Sequence, residues 1–285
     1  MPFQGVRHNR GAGRQRPAPL CLGHLLLTAL LLLPPASNAA QTCPADRIDE
    51  RVRISFVQDG DTLMLNDGRR LRLIGIDTPE LGKQGVGAEP GAIAARDRLR
   101  QLLFISRQQL NLRFDQERTD RYGRLLAHAY LSDNRALTEQ LLNEGLGTHI
   151  VVPPNTWQSS CYHQAAQAAR QQGRGIWALP DYQPKAVAEL NLQSTGFHIV
   201  RGRVTHLSNS ADAIWINLAG DFALRIERSD LGHFQGIDLD ALAGSEIEAQ
   251  GWIYASKGKL RMPLRHQDAL AVVTQPPPAE PSSVQ

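Results

Sequence analysis

Residues 51–80, with the sequence RVRISFVQDGDTLMLNDGRRLRLIGIDTPE, decide the fold of the first half of this chain. Apolar and polar residues alternate over 51–57, which is the period of a half-buried strand, with Val52, Ile54 and Phe56 on the apolar face. A second short strand is predicted at 62–65. The tight-turn sequence at 66–68 then returns the chain into a third strand at 69–76.

The segments that follow complete a small barrel. Strands are predicted over 109–114 and 125–131, and helices over 92–103, 134–144 and from Ser159 or Ser160 to 172. Three strands, a helix, two strands and two helices is the order of a five-stranded OB-type barrel with C-terminal helices.

The second half of the chain repeats the strand order in unrelated sequence. Strands are predicted at 198–207, 213–218, 222–228, 246–254 and 259–264, with an irregular or helical piece at 229–243. The fold class is therefore mainly β with α (α+β), an OB-type five-stranded barrel with C-terminal helices followed by a second OB-like barrel. The predicted division is 41–182 for the first barrel, 183–195 for a linker, 196–274 for the second barrel and 275–285 for a disordered, proline-rich tail.

Residues 1–40 have the pattern of a secretory signal peptide. An arginine-bearing leader precedes an apolar run at 20–33, two prolines and a small-residue stretch ending at Ala40. The run is shorter than the roughly 20 apolar residues that a spanning helix needs. We expect cleavage near Ala39, a periplasmic or secreted protein, and no stable membrane association after cleavage. An uncleaved anchor is the alternative.

Cleavage there would leave Cys43 and Cys161 as the two cysteines of the mature chain. A disulfide is the natural state of such a pair in an oxidising compartment. Two free thiols are the alternative, because sequence does not give their separation.

The net charge of the chain gives no reason to expect general binding of polyanions. The formal charge is +3, but 1–40 hold four of the 31 basic side chains and none of the 28 acidic ones, so the rest carries −1. A polyanion would therefore be bound at a local site.

Three short motifs in the first barrel carry the chemistry. They are Asp59-Gly60-Asp61-Thr62 between the first two strands, 72–80 at the third strand and its exit, and 119–124 between the last two strands. Asp61 and Asp77, at adjacent strand ends, can converge on a hard cation such as Ca²⁺, with Glu80 as a base beside them. Arg72 and Arg124 supply planar guanidiniums that match phosphate oxygens. These groups together indicate phosphoryl chemistry.

With these motifs in this order, the region from about 51 to 177 resembles the staphylococcal nuclease (thermonuclease) family. The resemblance implies that 41–182 is a nuclease domain with the following site: calcium ligands Asp61, Asp77 and the carbonyl of Thr78, general base Glu80, catalytic arginines Arg72 and Arg124, and substrate contacts Arg121 and Tyr122. It further implies an exported, Ca²⁺-dependent hydrolysis of DNA, RNA or both that leaves a 3′-phosphate. The family prototype carries two tyrosines in the segment matching 147–155. This chain has none there, which bears on substrate preference rather than on the chemistry.

Two other functions compete with a nuclease. One is a non-catalytic nucleic-acid-binding protein of the cell envelope, and the other is a structural envelope protein whose barrels contact other proteins. All the catalytic positions are kept, which favours the enzyme.

The second barrel offers a predicted face for binding a nucleic-acid strand. Strand alternation turns four side chains outward: Arg201, Arg203, Trp215 and Arg225. Cations beside an exposed aromatic are how OB barrels hold single strands. The alternative is that Trp215 packs under the linker or against the first barrel. The net charge of −2 from residue 183 onward favours that packing role.

Overall fold

The computed structural model describes residues 42–82, 85 and 87–273. The predicted signal peptide at 1–40 and the predicted tail at 275–285 lie outside the described residues. None of the helices within the described ranges is long and apolar enough to cross a membrane.

The first half forms a closed five-stranded barrel in the order β1-β2-β3-β6-β5. The strands are β1 (Glu50–Val57), β2 (Thr62–Leu65), β3 (Arg70–Leu73), β5 (Gln109–Arg113) and β6 (Leu125–Tyr130). Pairing of β1 with β5 closes the ring, and β3 runs parallel to β6. The short strand β4 (Ile76–Asp77) leaves the barrel and pairs with β7 (Thr148–His149).

The predicted face of the first strand is wrong at its end. The register of β1 against β2 shifts between Ile54 and Phe56. This irregularity moves Phe56 to the surface, where it is 55% exposed, and turns Val57 into the core instead.

Three helices cover the barrel: α1 (Ala92–Ile105), α2 (Leu137–Asn143) and α3 (Ser159–Gln171). The helix predicted from residue 134 begins three residues later, because Asn134 has a positive φ of 65° and Ala136 is extended. The predicted disulfide between Cys43 and Cys161 is confirmed, with a Cα–Cα distance of 5.9 Å. It ties the start of the described chain to α3.

The second half closes a separate five-stranded barrel, so the predicted fold class is confirmed. The strands are β9 (Gly196–Asn209), β10 (Ala213–Leu218), β11 (Phe222–Glu227), β12 (Glu246–Ser256) and β13 (Lys259–Leu264), with β8 (Lys185–Ala186) and β14 (Leu270–Val272) added to it. The long strand β9 pairs first with β12 and then with β10. Inward-facing side chains of β9, such as Val200 and Val204, belong to a hydrophobic core that is distinct from that of the first barrel.

Aromatic and polar contacts join the two barrels. Tyr182, at the end of the first half, packs against Phe197 of β9 with ring centroids 6.2 Å apart. Gln250 of β12 donates a hydrogen bond to the His149 carbonyl at 2.9 Å. Arg170 of α3 pairs with Glu248 of β12 at 2.6 Å. The junction therefore places one side of the second barrel against β7 and α3.

Candidate active site

A tight turn positions the first carboxylate of the site. The side chain of Asp59 accepts hydrogen bonds from the backbone N–H groups of Asp61 (3.0 Å) and Thr62 (2.7 Å), which fixes the turn between β1 and β2. A Cβ on Gly60 would lie 2.6 Å from the Cβ of Ala95 and 2.7 Å from Oγ1 of Thr78. Only glycine therefore lets this turn pack against α1 and the exit of β4.

Arg72 holds the two predicted metal-binding carboxylates together. Its Nε lies 3.2 Å from Oδ1 of Asp61, and its Nη2 donates to Oδ1 of Asp77 at 2.7 Å. The other oxygen of Asp61 accepts from the backbone N–H (2.8 Å) and the hydroxyl (3.0 Å) of Thr78. Burial works against the charge on Arg72, but Asp61 and Asp77 outweigh it and raise the pKa of the guanidinium. Arg72 is therefore a fixed cation between two carboxylates.

Negative charge exceeds positive charge in this cluster. Burial raises the pKa of Asp77 to about 7, with Asp61 and Glu80 adding to the rise and Arg72 opposing it. Burial and the neighbouring Asp61 likewise raise the pKa of Asp59. Carboxylate oxygens and a backbone carbonyl are the ligands that Ca²⁺ and Mg²⁺ prefer, so the residues present fit a hard divalent cation.

Glu80 stands at the exposed edge of the cluster. Its backbone N–H donates to the carboxylate of Glu89 at 2.9 Å, and the Glu89 N–H donates back to the Glu80 carbonyl at 2.8 Å. These two bonds close the loop that follows β4. The carboxylate of Glu80 accepts no hydrogen bond from any residue that the structure describes, and the residue is exposed to solvent.

The second arginine is held in a loop with an aromatic ring. Arg124 precedes β6 and donates from Nε to Asp120 at 2.6 Å. Its guanidinium lies 5.6 Å from the ring centre of Tyr122, and that of Arg121 lies 4.9 Å from the same ring. Arg121 also donates to the Tyr122 hydroxyl at 2.8 Å. The loop thus presents two cations around one exposed aromatic side chain.

A cavity of about 560 Å³ connects these groups. Arg72, Arg124, Arg121 and Tyr122 line one wall. Phe197, Trp252 and Arg265 of the second barrel line the opposite wall. Asp61, Asp77 and Glu80 are not among the described residues that line it. Arg72 belongs to both groups and so stands between the carboxylates and the cavity.

Comparison with known proteins decides the family. The model of the staphylococcal nuclease homologue family matches residues 70–179. The thermonuclease of Staphylococcus intermedius is 35% identical over 131 residues, which cover 45% of this chain and 76% of that protein. The thermonuclease of Staphylococcus hyicus is 32% identical over 133 residues, covering 46% and 77%. Endonuclease YncB of Bacillus subtilis is 34% identical over 129 residues, covering 44% and 60%.

The chain belongs to the staphylococcal nuclease family. It is a nuclease, a phosphodiester hydrolase. The match at 70–179 lies within the first barrel and its helices, so the second barrel of this nuclease lies beyond it.

The structure brings most of the predicted site residues together. Hydrogen bonds and ion pairs connect four of them: Asp61, Arg72, Asp77 and Thr78. The cavity that Arg72 lines is also lined by Arg124, Arg121 and Tyr122. Glu80 adjoins the carboxylates through the exit of β4. The roles assigned to these residues from the sequence stay predictions.

The predicted face of the second barrel is only partly assembled. Trp215 and Arg225 lie opposite each other on β10 and β11. The other neighbour of Trp215 is Ser208, whereas Arg201 lies roughly 20 Å earlier along β9, at about 3.3 Å per residue. Arg201 pairs with Glu248 of β12 at 2.9 Å, and Arg203 faces Glu246 in the same ladder. Arg201 and Arg203 lie apart from Trp215 because the first part of β9 pairs with β12 and only its last part pairs with β10.

Sequence reasoning missed the residues of the cavity's second wall, Trp252 and Arg265. The alternation in β12 could have found one of them, since Gly251 and Ile253 are buried and Trp252 between them is 44% exposed. Nothing in the local pattern showed that this face meets the active site.

A second cluster of possible metal ligands lies at the junction of the barrels. The ligand atoms of His149, His163 and Asp268 all fall within 4.8 Å of one another. Nδ1 of His149 lies 2.9 Å from the carbonyl oxygen of Gly75, and Nε2 lies 3.1 Å from Oδ2 of Asp268. Burial opposes the charge of Asp268, but its side-chain contacts with His149 and His266 hold its pKa well below the ordinary value. In this nuclease the cluster links β7 to the second barrel.

Proposed function

We propose that this nuclease is an exported, Ca²⁺-dependent enzyme that hydrolyses phosphodiester bonds of DNA, RNA or both. The observation that supports this most directly is the position of Arg72. Its guanidinium contacts Asp61 and Asp77, and its side chain also lines the cavity that Arg124 borders. A phosphate in the cavity would therefore meet two guanidiniums with a cluster of carboxylates behind one of them.

Asp61, Asp77 and the carbonyl of Thr78 are the proposed Ca²⁺ ligands. When bound, the cation would supply positive charge next to a phosphate oxygen, as metal ions do in phosphoryl transfer. The surplus of buried carboxylates over Arg72, seen in the raised pKa of Asp77, is the electrostatic reason for a cation to bind here.

Glu80 is the proposed general base. Its carboxylate is exposed and would accept a proton from the attacking water. Arg72 and Arg124 would donate hydrogen bonds to the non-bridging oxygens, where negative charge grows in the transition state. Arg72 is preorganised for this role, because its Nη1 also donates to the Ile76 carbonyl at 2.6 Å.

Arg121 and Tyr122 are proposed to hold the nucleotide. The stacked arrangement of the arginine over the ring keeps both side chains at the mouth of the cavity. The ring would pack against a base or sugar while the guanidinium faces a phosphate.

Export is supported by the signal-like sequence of 1–40 and by the Cys43–Cys161 disulfide. Disulfides persist in oxidising compartments and are rare in reducing ones. We propose a periplasmic or secreted location for the mature chain.

Digestion of labelled single-stranded DNA, duplex DNA and RNA, with CaCl₂ or with a chelator, tests the proposal. Wild type should cleave with calcium and stop with chelator. Glu80→Gln should lower kcat by about 10²–10⁴-fold, the usual contribution of a general base, while keeping calcium binding. Glu189→Gln, at an exposed position away from the site, is the matched control.

Two results would contradict this function. Cleavage by Glu80→Gln at the wild-type rate would remove the base assignment. Calcium-stimulated binding of nucleic acid without cleavage by wild type would favour the non-catalytic envelope protein instead.

A further inference from the structure

We infer that the second barrel forms the far wall of the active-site cleft and binds an unpaired segment of the substrate strand through Trp252 and Arg265. This inference rests on the proposed function, because the strand is the substrate whose scissile phosphate meets Arg72 and Arg124. It assigns the strand-binding role to a different face from the one that carries Trp215.

The cavity is shared by both barrels. Arg72 and Arg124 belong to the first barrel, and Phe197, Trp252 and Arg265 to the second. Its volume of about 560 Å³ lies within the roughly 300–1,000 Å³ of ordinary ligand sites. A strand held at the two arginines would therefore touch the second barrel directly.

Trp252 is an oriented and accessible aromatic platform. It is 44% exposed, and its ring meets that of Phe197 edge to face with centroids 5.3 Å apart. Phe197 lies across from Trp252 in the β9–β12 ladder and packs in turn on Tyr182. The edge-to-face contact orients the indole while 44% of the residue stays exposed. Bases stack on exposed aromatic rings irrespective of their sequence.

Among the described residues of the first barrel, Tyr122 is the one large aromatic that lines the cavity. The segment from 147 to 155 contains no tyrosine, phenylalanine or tryptophan, and it lines the cavity with Ile150, Val151 and Val152. Trp252 lines the same cavity from the second barrel. A base leaving the active site along this segment would find its stacking partner in the second barrel.

Charge in the cavity suits a phosphate backbone. Four arginines line it, Arg72, Arg121, Arg124 and Arg265, against three carboxylates. Asp120 is paired with Arg124, and Oδ2 of Asp268 lies 3.1 Å from Nε2 of His149. Arg265 donates to the Pro153 carbonyl at 3.2 Å and pairs with Asp230 at 3.2 Å, so it is held across the cleft while 47% of its side chain stays exposed.

Trp215 is less suited to this role. It does not line this cavity, although the guanidiniums of Arg225 and Arg261 lie 5.7 Å and 5.5 Å from its ring centre. Arg225 is paired with Asp212 (2.7 Å) and Glu227 (2.6 Å). The two tryptophans belong to the same barrel and both are partly exposed. Trp215 is therefore a matched control for Trp252.

The test compares two substrates and four forms of the full mature chain: wild type, Trp252→Ala, Trp252→Tyr and Trp215→Ala. The substrates are a labelled single-stranded DNA of about a dozen nucleotides and a fluorogenic dinucleotide, which carries no strand beyond the two nucleotides flanking its phosphate. With calcium present, Trp252→Ala should raise KM for the long strand at least fivefold, the lower end for loss of one stacked base. Its kcat on the dinucleotide should stay that of wild type. Trp252→Tyr should restore most of the loss, and Trp215→Ala should behave as wild type.

Several outcomes overturn the inference. Equal KM values for Trp252→Ala and wild type on the long strand would do so, as would a larger loss in Trp215→Ala. A parallel loss on the dinucleotide, or failure of Trp252→Tyr to restore binding, would show a structural role instead. If wild type cleaves neither substrate, the proposed function fails by itself. In that case, fluorescence anisotropy with the same labelled strand and the same four proteins measures whether Trp252 contributes to strand binding.

Discussion

Replacing Asp77 by asparagine should make the metal-free protein more stable while abolishing calcium-dependent cleavage. In wild type, burial and the neighbouring carboxylates of Asp61 and Glu80 make the charged form of Asp77 unfavourable. Asparagine has the shape of the protonated acid without its charge. Arg72 would keep its contacts with Asp61 and with two backbone carbonyls.

The size of the gain follows from the pKa of Asp77. A rise from the ordinary 3.8 to about 7, at about 1.4 kcal/mol per pH unit, corresponds to about 4 kcal/mol. Because 27% of the side chain is exposed, solvent screening reduces the expected gain to about 2–4 kcal/mol. A raised pKa means that the folded state binds more protons than the unfolded state between about pH 4 and pH 7. The free energy of unfolding of wild type therefore falls as the pH rises from about 4 to about 7. Asp77→Asn has no carboxyl group to titrate at this position, so its free energy of unfolding should not fall in this range. The difference from wild type should be absent at pH 4 and complete above pH 7.

Urea unfolding of both proteins at pH 4, 5.5 and 8, in chelator, measures this difference. Asp181→Asn, the same substitution at an exposed residue outside the carboxylate cluster, is the control and should leave the free energy of unfolding close to that of wild type at each pH. Calcium at 100 times its Kd should stabilise wild type by about 2.7 kcal/mol and leave Asp77→Asn unchanged. A variant that is less stable than wild type at pH 8 in chelator would refute the reasoning, since Asp77 would then stabilise the metal-free fold.

Two further predictions concern the second arginine and the disulfide. Arg124→Lys should lower kcat by about 10²–10³-fold, because it removes the planar guanidinium from the proposed phosphate contact. The Tm should stay nearly unchanged, since lysine keeps a positive charge beside Asp120. Arg135→Lys, in the turn where Arg135 pairs with Asp133, is the control, and full activity of the Arg124 variant would exclude a catalytic role. Replacing Cys43 and Cys161 by serine should lower the free energy of unfolding by about 3–5 kcal/mol, since the bridge closes a loop spanning 118 positions. Non-reducing mass spectrometry of alkylated wild type should find neither cysteine labelled, and two labelled cysteines would contradict the bridge.

The first barrel could be predicted from the sequence because its signals are local. Strand alternation, the 66–68 turn and the spacing of Asp61, Arg72 and Asp77 all lie within about thirty residues, and barrel closure brings them together. Phe56 could not be predicted, because a register shift in β1 depends on the partner strand. The separation of Arg201 from Trp215 could not be predicted for a similar reason, since no local pattern shows where β9 changes its partner strand.

The cleft is beyond local prediction for another reason. Trp252 could be placed on an outer face from alternation in β12 alone. That this face meets the active site depends on how Tyr182, Phe197 and His149 pack at the junction, over long separations in the chain. Such contacts have no periodic signature in the sequence.

The bridge made by His149 has a consequence for how this chain could gain or lose parts. One ring nitrogen faces the Gly75 carbonyl, just before the strand that carries Asp77, and the other faces Asp268 of the second barrel. In a protein that ended at the linker, Nε2 of His149 would lose its contact with Asp268. The β4–β7 pair, which carries Asp77, would be exposed to solvent on the side that the second barrel now covers. The second barrel therefore covers part of the surface on which the active site is built. A different domain fused at this point would keep the contact of His149 only if it carried an acidic residue in the place of Asp268.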